Sequence, residues 1–129
     1  LIGLFTPTTD AQRVAEMAQQ ASGFAYCVSV AGVTGSEVNR GPRLRERVAT
    51  IQDITGLPTA VGFGVRTPED AAGIAEFADG VVVGSALVQA MAQQPAVEAP
   101  ALAQEFIESL RAAIDGAEVI SIDQARKDQ

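Results

Sequence analysis

The chain has 129 residues, 47% of them hydrophobic and 5% aromatic. That length suits one domain, and a core of small aliphatic side chains suits helices packed closely on a sheet better than a sandwich of bulky rings. A formal charge of −7 argues against nucleic acid as a partner but not against a small anion, because backbone amides can hold a phosphate with no formal positive charge nearby.

Short apolar runs alternate with amphipathic segments along the chain. Residues 1–5 form the first run, closed by Thr6-Pro7, and Thr9-Asp10-Ala11-Gln12 reads as a capping box. Val14, Met17, Ala18 and Ala21 follow at helical spacing, and Gly23 is expected to end that helix. Residues 24–30 are a second strand-like run. A polar, glycine-bearing stretch over 31–42 comes next, long for a strand-to-helix connection and therefore a candidate functional loop. Leu44, Val48, Ile51 and Ile54 make the apolar stripe of a basic helix stopped by Gly56 and Pro58.

Residues 59–65 are the third run. Thr67-Pro68-Glu69-Asp70 supplies an N-cap, a proline at the first helical position and two acids beside the helix dipole. Ile74, Ala75, Phe77 and Ala78 are expected to form that helix's buried side, and Asp79-Gly80 the turn beyond it. The fourth run, 81–83, passes through Gly84-Ser85 into a short helix over 86–91. Pro95 and Pro100 bracket a joint, and Leu102, Phe106, Leu110 and Ile114 line one face of a last helix. Residues 123–129 are polar and expected to fray. Four strand–helix units with no hairpin signal imply an α/β fold with a parallel sheet. It is either a small doubly wound sheet or four βα units, half of a (βα)8 TIM barrel, with a short phosphate-binding helix. The half barrel would span 1–117, with 118–129 as a C-terminal tail. The start at Leu1, directly in an apolar run, is expected of a chain missing its natural beginning.

Three glycine-bearing segments follow or end the last three runs: Gly32-Val33-Thr34-Gly35, Gly62-Phe63-Gly64 and Gly84-Ser85. In a parallel sheet all three fall at the carboxyl edge, where α/β proteins build their sites. Each alone has a plain structural reading. A glycine pair marks a bulge or tight packing, Gly84-Ser85 an ordinary helix start, and Gly32 and Gly35 a loop. Together they point to a site for an anion. Gly84-Ser85 is the sharpest of them, standing where amides and a helix dipole converge.

Tyr26 reads as a core aromatic or as a ring and hydroxyl lining a cleft. Cys27 reads as inert packing, Glu37 and the cluster Arg43, Arg45 and Arg47 as solvated charge, and Glu69 and Asp70 as partners of a helix terminus. Without histidine and with one cysteine, the chain offers no disulfide framework, zinc cluster or histidine base. No carboxylate pair has a catalytic context, so no catalytic residue is assigned. No apolar stretch approaches a membrane span and no signal peptide is evident; a reducing, cytoplasmic setting is expected.

Phe24-Ala25-Tyr26 and the string from Ser29 through Gly35 resemble the sixth strand and mobile loop of the tryptophan synthase alpha subunit. Gly62-Phe63-Gly64-Val65 with Thr67-Pro68-Glu69 resembles that family's seventh strand and helix start, Val83 through Val88 its eighth strand and phosphate-binding helix, and residues 1–7 its fifth strand. The resemblance runs in order over about residues 1–115. It implies the C-terminal half of a (βα)8 barrel that cleaves indole-3-glycerol phosphate to indole and glyceraldehyde 3-phosphate, a lyase of tryptophan biosynthesis. It also implies that no cofactor is needed and that indole passes to a partner, the tryptophan synthase beta subunit, in a heterotetramer.

By position, Gly35, Phe63, Gly64, Gly84 and Ser85 would surround the substrate phosphate, Tyr26 would line the indole side, and Thr34 would belong to the closing loop. The family's catalytic glutamate and aspartate lie in its second βα unit, whereas this chain begins near the fifth. The resemblance therefore implies substrate recognition without the acid/base carboxylates, and a missing N-terminal half barrel as partner. Two alternatives stay open: a non-catalytic half barrel that binds a phosphosugar, and another phosphate-binding barrel enzyme. A dinucleotide-binding domain would want a glycine fingerprint after the first strand, which Thr6-Pro7-Thr8-Thr9 does not supply.

Overall fold

The computed structural model describes residues 1–29, 41–62, 64–92 and 95–117. Four strands alternate with helices: β1 (Gly3–Phe5), α1 (Ala11–Ala18), β2 (Ala25–Val28), α2 (Pro42–Thr55), β3 (Thr59–Gly62), α3 (Pro68–Ala75), β4 (Gly80–Val82) and α4 (Ser85–Ala92). A 3-10 turn (Ala96–Glu98) then leads into α5 (Ala99–Asp115). The sheet order is β1-β2-β3-β4, all parallel. A sequential order with crossovers of one hand winds every helix onto the same side. A doubly wound sheet needs a reversal of strand order, and none occurs here. The fold is the half barrel.

Alternation along the strands separates two faces. Phe5, Ala25, Cys27 and Val61 are buried on the helix side with Val14 of α1, Val48 and Ile51 of α2, Ala71 and Ile74 of α3 and Leu110 of α5. Burying a side chain such as Phe5, Ile51 or Ile74 contributes about 1.5–3 kcal/mol, so this layer holds the sheet together. The opposite face is open: Leu4 is 53% and Val82 37% exposed, and Tyr26 is half-buried. In a closed barrel that face is the interior.

Local chemistry explains most boundaries. On α2, Val48 and Ile51 are buried, Leu44 and Ile54 pack beside them, and Gly56 ends the helix at φ +65°. The start of α3 is a full capping box: Asp70 N–H donates to Thr67 Oγ1 at 3.1 Å, and the Asp70 carboxylate accepts from the Thr67 N–H at 3.2 Å and the Arg66 N–H at 3.1 Å. Several expectations need correcting. The cap of α1 is Asp10, which accepts from Arg13 N–H at 2.8 Å, because Thr9 is turned back to accept from Thr6 N–H.

The helix α1 ends at Gln19, well before Gly23, which instead takes φ +88° in the approach to β2. Gly80 belongs to β4 because Asp79 is tied back to the sheet: its carboxylate accepts from Thr59 N–H at 2.8 Å and from Gln52 Nε2 at 2.9 Å. Of the three arginines on α2, only Arg43 is simply exposed. Arg45 bridges to Glu76, the residue that caps the end of α3, at 3.0 Å and lies 5.4 Å from the centre of the Phe77 ring. Arg47 donates to the carbonyls of Thr6 and Thr9, pinning the turn after β1. No helix of the described residues is long and apolar enough to cross a membrane.

Candidate functional site

Because the strands are parallel, the chain leaves β3 and β4 at the same edge, and a cleft of about 420 Å³ opens there. Tyr26, Gly64, Gly84 and Ser85 all line it. These are the four candidate residues that fall within the described part of the chain. Thr34, Gly35 and Phe63 lie outside the described residues, as do Glu37 and most of the long loop.

The glycine pair around Phe63 divides into two roles. Tyr26 is registered beside Ala60, and Gly62 beside Val82. The Tyr26 ring leans along the open face across Gly62, so a Cβ there would lie 2.7 Å from Tyr26 Cζ and 3.0 Å from Val82 Cβ, with the phenol oxygen nearer still. Gly62 is tight packing, the plain reading of such a pair, and it makes room for the ring that floors the cleft. Gly64 has φ +77°, a backbone that side chains rarely adopt, and turns the chain into the cleft wall. Ser29 closes the adjoining strand ends: its N–H and its hydroxyl both donate to the Gly62 carbonyl, at 2.9 and 3.0 Å.

The opposite wall is the start of α4. Leu87 and Val88 N–H donate to the Gly84 carbonyl at 3.0 and 3.2 Å, which begins the helix one residue earlier than its apolar pattern suggests. The N–H and hydroxyl of Ser85, and the N–H of Ala86, have no partner among the described residues. A Cβ added at Gly84 would meet nothing within 4 Å. Open space over a glycine beside first-turn amides is what close approach of an anion requires.

Two lining residues were not singled out from the sequence. Arg66 follows Val65 at the rim, and Gln89 stands one turn beyond Ser85 on α4. The spacing of Ser85 and Gln89 by four on a helix was a signal for the second. Arg66 lies directly between the glycine turn and the capping box, where local reading assigned only structural roles. Cys27 faces the helix side, 1% exposed, and burial pushes its thiol up to about 11 against the lowering influence of Arg47. It is packing, as expected. Asp70 belongs to the helix terminus, and no carboxylate of the described residues lines the cleft. No cluster of metal-binding side chains occurs among the described residues.

Comparison with known proteins bears on the fold as a whole. Residues 1–115 match the family model described as tryptophan synthase alpha chain. The tryptophan synthase alpha chain of Novosphingobium aromaticivorans is 50% identical over 117 residues, covering 91% of this chain and 44% of that protein. That of Lacticaseibacillus casei is 42% identical over 122 residues, covering 95% and 45%. Among solved structures, the tryptophan synthase alpha chain of Legionella pneumophila superposes with a TM-score of 0.69 at 39% identity, over 88% of this chain and 42% of that one. A structure of Mycobacterium tuberculosis tryptophan synthase gives 0.71 at 36% identity, over 88% and 41%. The chain thus spans less than half the length of these relatives, and its four parallel βα units coincide with part of their barrels. On its matched sequence and its half-barrel fold, the chain belongs to the tryptophan synthase alpha chain family.

Proposed function

We propose that this chain supplies the phosphate end of the substrate site in a lyase of tryptophan biosynthesis, one that cleaves indole-3-glycerol phosphate to indole and glyceraldehyde 3-phosphate in the cytoplasm. The single observation that carries this reading is the meeting of Gly64, Gly84-Ser85 and Tyr26 in one cleft at the carboxyl edge. The amides at the start of α4 face the phosphate, with the Ser85 hydroxyl as a further donor, and the half-buried Tyr26 ring takes the apolar side of the ligand. By the resemblance to the family, Gly35, Phe63 and Thr34 are further substrate-binding residues of the same enzyme. Indole produced in the whole enzyme passes to a tryptophan synthase beta subunit, and the N-terminal half barrel completes the alpha chain and contributes the acid/base carboxylates.

A second reading, a half barrel that binds a phosphosugar without turning it over, is favoured by the lack of a carboxylate in the described lining. One experiment separates them. The chain is titrated with indole-3-glycerol phosphate, and release of indole is followed with and without the N-terminal half of the N. aromaticivorans alpha chain. Weak binding without cleavage by the chain alone, and cleavage on adding the other half, is the expected result. Binding with no cleavage in either case favours the second reading, and turnover by the chain alone contradicts the assignment of the acid/base pair to the other half.

A further inference from the structure

We infer that Arg66 is the cationic selectivity residue of the cleft, presenting its guanidinium to the dianionic head group that the backbone amides cradle; this rests on the phosphate reading of the cleft. Arg66 is the one charged residue among the described lining. Its charge is not spent elsewhere. Arg13, Arg45 and Arg111 pair with acids, and Arg47 is held by two carbonyls, whereas Arg66 enters no ion pair among the described residues.

The buried acid four residues on is also engaged elsewhere, by backbone rather than by the guanidinium. Asp70 is 6% exposed, and its carboxylate accepts from the backbone N–H groups of Arg66 and Thr67. That bond and the buried Val65 (4% exposed) fix the backbone of Arg66 at the rim while leaving its side chain in solvent. The physical need is clear from the charge. A chain of net charge −7 repels a dianion over most of its surface, and amides alone carry only partial charge. A guanidinium fork beside them matches two phosphate oxygens and adds a formal positive charge where the repulsion must be overcome.

The test uses inorganic phosphate, titrated into the 129-residue chain and its Arg66→Gln and Arg66→Lys variants at low and moderate salt. Binding is read by calorimetry and by emission of Tyr26, the only tyrosine in a chain without tryptophan. Arg66→Gln is expected to bind about tenfold more weakly, with a flatter salt dependence, and Arg66→Lys to stay within about threefold of the parent. Circular dichroism checks that the exposed substitution leaves the fold intact. Equal affinity in the parent and Arg66→Gln overturns this inference and leaves the phosphate cleft standing, and so does a lysine variant as weak as glutamine. A parent chain that does not bind phosphate at all removes the reading of the cleft and this inference with it.

Discussion

Replacing Gly62 by alanine probes the packing that shapes the cleft floor. The added methyl carbon would sit 2.7 Å from Tyr26 Cζ and 3.0 Å from Val82 Cβ. Carbon atoms pack comfortably at about 3.5–4.0 Å, so the overlaps are roughly 0.8 and 0.5 Å. Val82 is fixed on β4 beside Gly62, and the ring must therefore yield toward the open cleft. Overpacking of this kind costs about 1–3 kcal/mol. The gain from replacing a strand glycine offsets up to about 1 kcal/mol of that. A net loss of about 1–2 kcal/mol corresponds to a fall in Tm of about 3–10 °C for a chain of this size.

Because Tyr26 is the sole tyrosine and tryptophan is absent, near-ultraviolet circular dichroism and emission report this ring directly. A double-mutant cycle with Tyr26→Ala isolates the clash: Gly62→Ala is expected to be close to neutral once the ring is gone, a coupling of at least about 1 kcal/mol. If Gly62→Ala melts with the parent and leaves the tyrosine signal unchanged, the ring does not lie where the argument needs it, and the account of the cleft floor fails.

Gly84→Ala should behave in the opposite way. The new Cβ meets nothing within 4 Å, and Gly84 is not among the described glycines with positive φ. Stability should then hold or rise by about 0.4–1 kcal/mol while phosphate affinity in the same titration falls; unchanged affinity would mean that the anion does not approach this amide. Asp70→Ala removes the acceptor for two backbone N–H groups at the start of α3 and is expected to cost about 1–2 kcal/mol in urea unfolding, with Asp70→Asn costing less. Loss of stability no greater than for an exposed acid such as Glu69 would contradict the cap.

The Cys27 thiol ionises at about 11 in the fold against 9.0 in the free chain. The unfolded state therefore loses its proton first, and stability should fall as pH rises from about 9 to about 11, by up to about 3 kcal/mol. Urea midpoints across that window should slope more steeply for the parent than for Cys27→Ala, and matching slopes would refute the burial argument.

Much of the half barrel was legible because its signals are local. Thr67-Pro68-Glu69-Asp70 carries a complete helix start within four residues, and the stripe from Leu44 to Ile54 with Gly56 beyond it carries a whole helix and its stop. The parallel order followed from the spacing of the runs, and with it the expectation that Gly64 and Gly84-Ser85 share an edge. Where the sequence reading slipped, a distant group had intervened. Arg47 holds the carbonyls of Thr6 and Thr9 across some forty residues, in the same turn where Thr9 gives up the cap of α1 to Asp10. Asp79 reaches Thr59 and draws Gly80 into the sheet.

Chain chemistry alone was enough to establish alternating strands and helices, a charge that disfavours polyanions, and glycines at one edge of a parallel sheet, since each depends on residue type and near neighbours. Folding in three dimensions had to settle which glycine serves packing and which serves the cleft. Gly62 and Gly64 sit two residues apart in one string, yet a ring from β2 claims the space over the first and the turn toward α3 claims the backbone of the second. The standing of Arg66 was decided in the same way: whether a cation is free for a ligand depends on which acids come near it, and that is a property of packing between elements rather than of adjacent residues.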